Sequence, residues 1–119
     1  QALFTKSEEG ELKGLNLING DIRKFNFKNN NFKIPHMGWN EVKFNNKSVF
    51  SKTLANNKFY FVHSYFADCN DKGDILGITN YSTDFVSSVK KENIYGVQFH
   101  PEKSHYFGKE FLKIFLKTK

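Results

Sequence analysis

From residue 59 the chain runs Phe-Tyr-Phe-Val and continues through His63 to Phe66, almost without a polar break. A continuous apolar run rich in aromatic and β-branched residues predicts a strand buried on both faces. Residues 39–44 alternate instead, setting Trp39, Glu41 and Lys43 against Asn40, Val42 and Phe44, which predicts a strand of period two. Shorter strands are predicted at 15–18 and 21–27, with Ile22, Phe25 and Phe27 facing inward, and at 75–79, 85–90 and 94–99. Residues 1–4 enter apolar and without a cap, and read as part of a helix that starts upstream. Gly10 and Gly14 punctuate a turn, 28–31 is a polar loop, and 67–73 is a turn carrying Cys69. At 107–116 the period changes. Phe107, Phe111 and Phe115, with Leu112 and Leu116 beside them, face Lys109, Glu110, Lys113 and Lys117, the pattern of an amphipathic helix. Many strands ahead of one closing helix predict the later part of an open α/β sheet, a partial domain covering 1–119.

Composition narrows the class. The chain has 119 residues, enough for one domain, and 39% hydrophobic with 25% charged residues is an ordinary globular balance. No apolar stretch approaches the roughly 20 residues of a membrane span, and no secretory signal is visible. The single cysteine, Cys69, excludes an internal disulfide and suits a reducing cytoplasm. Cysteines and histidines do not cluster, so nothing suggests zinc. The net charge of +6 comes from scattered lysines with one arginine, Arg23, which reads as a solvated face rather than a nucleic-acid stripe.

The candidate chemistry lies at Gln98-Phe99-His100-Pro101-Glu102-Lys103-Ser104. On an extended backbone His100 and Glu102 project from one face, and Pro101 pushes His100 toward extended geometry. A carboxylate on one imidazole nitrogen sets the tautomer and leaves the other nitrogen to take a proton, which is half of a nucleophilic triad. Taken alone, the pair reads equally well as a strand ending at a solvated edge. Cys69 is a poor nucleophile for it. Asp68 and Asp71 raise a thiol pKa, and the small flanking residues of a nucleophile elbow are missing. His63 reads as a hydrogen-bonded core histidine, and His36 and His105 as surface or structural residues with no evident partner.

Four segments carry a family resemblance. Gln98 to Ser104 resembles the His/Glu segment of class I, triad-type glutamine amidotransferases. Pro35-His36-Met37-Gly38-Trp39-Asn40 and Tyr60-Phe61-Val62-His63-Ser64-Tyr65 resemble the glutaminase subunit of imidazole glycerol phosphate synthase. Gln1-Ala2-Leu3-Phe4 is similar to the end of that family's elbow, Gly-x-Cys-x-Gly-x-Gln.

The resemblance implies a mixed sheet flanked by helices, with the nucleophilic cysteine and the oxyanion loop upstream of Gln1. It implies His100 as base and Glu102 as its orienter, with Gln1, Ser64 and Tyr65 binding glutamine. Trp39, Asn40, Tyr60 and Lys103 would face a (β/α)8-barrel synthase subunit, so Trp39 is expected at an interface rather than in the core. Ammonia from glutamine would pass to that partner in histidine biosynthesis, with no cofactor in the glutaminase half and no nucleic acid or membrane involved. Two rivals share these residues: a paralogue serving another synthase, for example in surface-sugar amidation, and a binding module that has lost its nucleophile. A Gly-x-Cys-x-Gly just before Gln1 would favour the enzyme.

Overall fold

The computed structural model describes residues 1, 3–7, 14–27 and 32–118, without the side chains of 5–7. The expected turn at Gly10 and the polar loop at 28–31 lie outside the described residues. Its elements in chain order begin with strands β1 (Phe4–Ser7), β2 (Ile18–Lys24), β3 (His36–Asn40) and β4 (Lys43–Phe44) and a short helix α1 (Phe50–Thr53). Strands β5 (Phe59–His63), β6 (Tyr65–Cys69), β7 (Ile75–Tyr81), β8 (Thr83–Lys91) and β9 (Ile94–Val97) follow, and helix α2 (His105–Lys117) closes the order. Single 3-10 turns occupy Lys72–Asp74 and Pro101–Lys103.

A seven-stranded sheet runs β1-β2-β6-β8-β7-β4, with β9 also paired to β8. The β1–β2 pair is parallel, and β2–β6, β6–β8, β7–β8, β4–β7 and β8–β9 are antiparallel, so the sheet is mixed. Strands β3 and β5 form a separate antiparallel pair with His36 opposite His63 and Trp39 opposite Tyr60. None of the described helices is long and apolar enough to cross a membrane.

The core is largely aromatic. Phe25, Phe44, Phe50, Phe59, Phe61, Phe85, Phe99 and Phe111 are buried together with Val42, Leu54 and Leu76. Phe59 meets Phe99 at 4.2 Å between ring centroids, and Phe50 stacks on Phe111 at 4.8 Å. Burying one such side chain contributes about 1.5–3 kcal/mol, so this cluster supplies much of the driving force for the fold. Phe4, Ile18, Ile22, Ala67 and Val89 form a second cluster under β1 and β2.

Several expectations are corrected. None of the described opening residues, Gln1, Leu3 and Phe4, is helical. Phe4 begins β1 and pairs with Ile18, a distinction that periodicity cannot draw over four residues. The strands expected at 15–18 and 21–27 are one strand, β2, and Leu15 and Leu17 are exposed ahead of it. Cys69 ends β6 rather than lying in a turn.

The run 59–66 is split at Ser64. There the chain leaves β3 as its partner and takes up β2, while the Ser64 carbonyl accepts from the Phe25 N–H at 3.0 Å. The alternating stretch 39–44 is split as well. Asn57 Oδ1 accepts from the Val42 N–H at 2.8 Å and its Nδ2 donates to the Val42 carbonyl at 2.7 Å, so a side chain takes the backbone groups a strand ladder would use. On α2 the inward stripe is Phe107, Gly108, Phe111, Ile114 and Phe115. Leu112 and Leu116 are exposed, each a further 100° around the helix from its buried neighbour.

Candidate functional site

After β9 the chain bends at Gln98 and Phe99, with Phe99 buried in the aromatic core and Gln98 and His100 half-buried. The His100 N–H donates to the Tyr60 carbonyl at 2.9 Å, which ties this segment to β5. The buried hydroxyl of Ser104 then donates to the His100 carbonyl at 2.6 Å and accepts from the Tyr60 N–H at 2.9 Å. Helix α2 packs so closely that a Cβ on Gly108 would collide with the Pro101 carbonyl, and only glycine allows that approach. His100 is thus held through its N–H and through its carbonyl, which also accepts from the Lys103 N–H at 3.0 Å.

His100 Nδ1 lies 2.9 Å from Glu102 Oε1. The expected reason was a backbone extended through both residues, and that is corrected. His100 is extended, at φ −102° and ψ 97°, but Glu102 lies within the 3-10 turn Pro101–Lys103, and the turn brings the carboxylate back to the ring. A carboxylate only accepts, so Nδ1 carries the proton and Nε2 is left to exchange one. Both side chains are substantially exposed, at 38% and 58%, so the pair adds little stability and acts mainly to orient the ring.

Beside it lies a cleft of about 310 Å3 lined by Gln1, Val62, His63, Ser64, Tyr65 and Gln98. That volume suits a ligand the size of a free amino acid. Gln1 Nε2 donates to the Tyr65 carbonyl at 3.1 Å and to Gln98 Oε1 at 2.8 Å, joining three of the lining residues. The structure therefore brings Gln1, Ser64 and Tyr65 together around one opening. Gln98 joins them and was not singled out from sequence, although its place two residues before His100 was a usable signal.

A second group lies behind the cleft. His63 is buried, and His36, which was expected to lack a partner, is buried against it with Nδ1 at 2.9 Å from His63 Nε2. Burial lowers both from the usual 6.5 to about 4, so both rings are neutral near pH 7. The charge of His63 adds to the effect on His36. For His63, the hydrogen bond to the Tyr65 carbonyl opposes the shift and His100 reinforces it.

The residues expected at a partner surface gather at the edge pair β3–β5. Trp39 is 48% exposed, stacks on His105 at 5.4 Å and meets Tyr60 edge-on at 5.8 Å. Met37, two residues earlier on β3, is also exposed, and so is Lys103. Gly38 between Met37 and Trp39 has φ +123°, a backbone that a side chain would strain. Asn40 is half-buried and donates to the Asn80 carbonyl at 2.9 Å.

Cys69 lies four residues along β6 from Tyr65, roughly 13 Å away at the usual strand rise. Its thiol is raised from 9.0 to about 11 by burial and by Asp74, Asp68 and Asp71, the opposite of what a nucleophile needs.

A family model described as glutamine amidotransferase class-I matches residues 12–118. A protein of Methanococcus maripaludis called imidazole glycerol phosphate synthase subunit HisH 2 is 56% identical over 116 residues, covering 97% of this chain and 57% of its own length. Subunits HisH of the same synthase from Leptospira borgpetersenii and Pelagibacter ubique are 48% and 46% identical, over 97% and 92% of this chain and 58% and 53% of their own lengths. The chain thus spans somewhat more than half the length of the curated relatives it matches.

Proposed function

The chain belongs to the class I glutamine amidotransferases, and on that premise we propose that it supplies the general base and the glutamine cleft of a glutaminase, the ammonia-producing subunit of imidazole glycerol phosphate synthase. The observation that carries the reading is the His100–Glu102 hydrogen bond at 2.9 Å, on the same segment as Gln98 of the cleft.

In this reading a cysteine outside these 119 residues passes its thiol proton to His100 Nε2 as its sulfur attacks the side-chain carboxamide carbon of glutamine. The tetrahedral intermediate collapses as His100 Nε2 delivers a proton to the departing ammonia, leaving a γ-glutamyl thioester. His100 then takes a proton from water as the water attacks the thioester, and glutamate leaves with the cysteine restored. Glu102 holds the Nδ1–H throughout and stabilises the imidazolium in each half. Gln1, Ser64 and Tyr65 hold the substrate, and the chemistry calls for no cofactor. The ammonia goes to a (β/α)8-barrel subunit docked on Trp39, Asn40, Tyr60 and Lys103, in the cytoplasm, as a step of histidine biosynthesis.

Glutamate release by the complete protein with its synthase partner tests the reading. His100→Asn is expected to lower kcat by about 100-fold or more, with glutamine affinity nearly kept. Turnover within about twofold of wild type would overturn it.

A further inference from the structure

The two buried histidines behind the cleft form a hydrogen-bond chain whose direction is forced at every link. His63 Nδ1 lies 2.8 Å from the Tyr65 carbonyl, which accepts only, so Nδ1 carries the hydrogen. The neutral ring then has a bare Nε2, and the hydrogen in the 2.9 Å contact to His36 must come from His36 Nδ1. That leaves His36 Nε2 bare and accepting from Asn40 Nδ2 at 3.3 Å. The other Nδ2 hydrogen of Asn40 goes to the Asn80 carbonyl, and its Oδ1 accepts from the Glu41 N–H at 2.8 Å. Turning the Asn40 amide over would set an oxygen against two acceptors, so its orientation is fixed as well.

At the far end the Tyr65 carbonyl accepts from Gln1 Nε2 in addition to His63. Gln1 sends both amide hydrogens to Tyr65 and Gln98, which settles which end of its amide is the carbonyl.

We propose that His36 and His63 are positioning residues of the glutamine site, carrying one hydrogen-bond polarity from Asn40 on β3 to the Tyr65 carbonyl, where it meets the bond that Gln1 donates from the cleft. The inference rests on the glutaminase reading and extends it to His63, at the wall of the cleft, and to His36 behind it. Simple packing does not ask for this arrangement. His36 is stacked between Phe61 at 4.8 Å and Tyr81 at 4.1 Å, a slot that a phenylalanine ring would fill equally well. What phenylalanine lacks is the Nδ1–H.

That difference sets the test, made on the complete protein assembled with its synthase partner. His36→Phe keeps a ring in the slot and removes the donor. His36→Asn gives up the ring but places an amide N–H near the position of Nδ1. Loss of one oriented hydrogen bond is expected to raise the KM for glutamine about tenfold in His36→Phe, with kcat within about twofold, and His36→Asn is expected to return KM to within about threefold of wild type. A packing role gives the reverse order, with His36→Phe close to wild type and His36→Asn impaired, and that result overturns the inference.

Nitrogen-15 spectra of the wild type give a readout that needs no variant. His36 and His63 are both expected as neutral Nδ1–H tautomers, and an Nε2–H tautomer at either overturns the chain. Wild-type hydrolysis with an unmoved KM in His36→Phe sinks this inference alone. No hydrolysis by the wild-type assembly sinks the glutaminase reading and takes the inference with it.

Discussion

The buried histidine pair makes the protein's stability depend on pH within a defined window. His36 and His63 are 2% and 7% exposed, and each has its pKa lowered from 6.5 to about 4, chiefly by burial. A group whose folded pKa is depressed binds protons more readily when unfolded. Stability is therefore fully present above 6.5 and is lost as pH falls toward 4. Going from about pH 7.5 to about pH 5.5, the unfolded chain gains ~1.4 kcal/mol per histidine from proton uptake while the folded state gains almost nothing, so the pair costs about 3 kcal/mol of stability. That is a large part of the roughly 5–15 kcal/mol that holds a domain together. Urea melts of the complete protein at the two pH values measure the loss directly. The same melts on a variant carrying His36→Phe and His63→Phe should show it nearly abolished, with other titrating groups common to both proteins cancelling. The single change His36→Phe should remove about half. Equal pH slopes in wild type and the double variant would refute the argument, because the pair would then be no more protonatable unfolded than folded.

Three further outcomes are expected. Glu102→Ala should lower kcat for glutamine hydrolysis by about tenfold, less than loss of His100, because it orients the ring rather than moving the proton; steady-state glutamate release measures it, and an unchanged kcat would break the pairing argument. Trp39→Ala should weaken binding of the synthase partner by on the order of 2 kcal/mol while leaving the melting temperature nearly unmoved, since the indole is half exposed; titration calorimetry and thermal melts on both proteins separate these effects. Asn57→Leu should cost about 2–4 kcal/mol in a denaturant melt, because it strands the Val42 N–H and the Val42 and Leu54 carbonyls that the buried amide now satisfies.

Much of this architecture was legible in the sequence because most of the fold rests on apolar patterning. The strands expected at 75–79 and 85–90 and the closing helix are present, and the strand expected at 94–99 is present over Ile94–Val97 only. Some expectations failed where side chains take over backbone hydrogen bonds. At Val42 the captor is Asn57, and at the Tyr65 carbonyl it is His63 together with Gln1. At the His100 carbonyl it is Ser104. A run of apolar residues carries no mark of such capture, because the captor stands elsewhere in the chain, from two residues away for His63 to 64 for Gln1.

Sequence separation explains why the His100–Glu102 contact was legible and the His36–His63 contact was not. His100 and Glu102 are neighbours in sequence, so their chemistry is local and survived even a wrong account of the backbone between them. His36 and His63 stand 27 residues apart and meet only because β3 and β5 pair in a register that sets one opposite the other. Their neutrality then follows from burial, which belongs to the folded structure and not to any residue. The captures by His63, Gln1 and Ser104 bear on groups of the cleft or the dyad, and those by Asn40 and Asn57 lie elsewhere. At the Tyr65 and His100 carbonyls, hydrogen bonds to side chains take the place of a strand ladder beside the cleft where glutamine would be held, and they fix the residues around it.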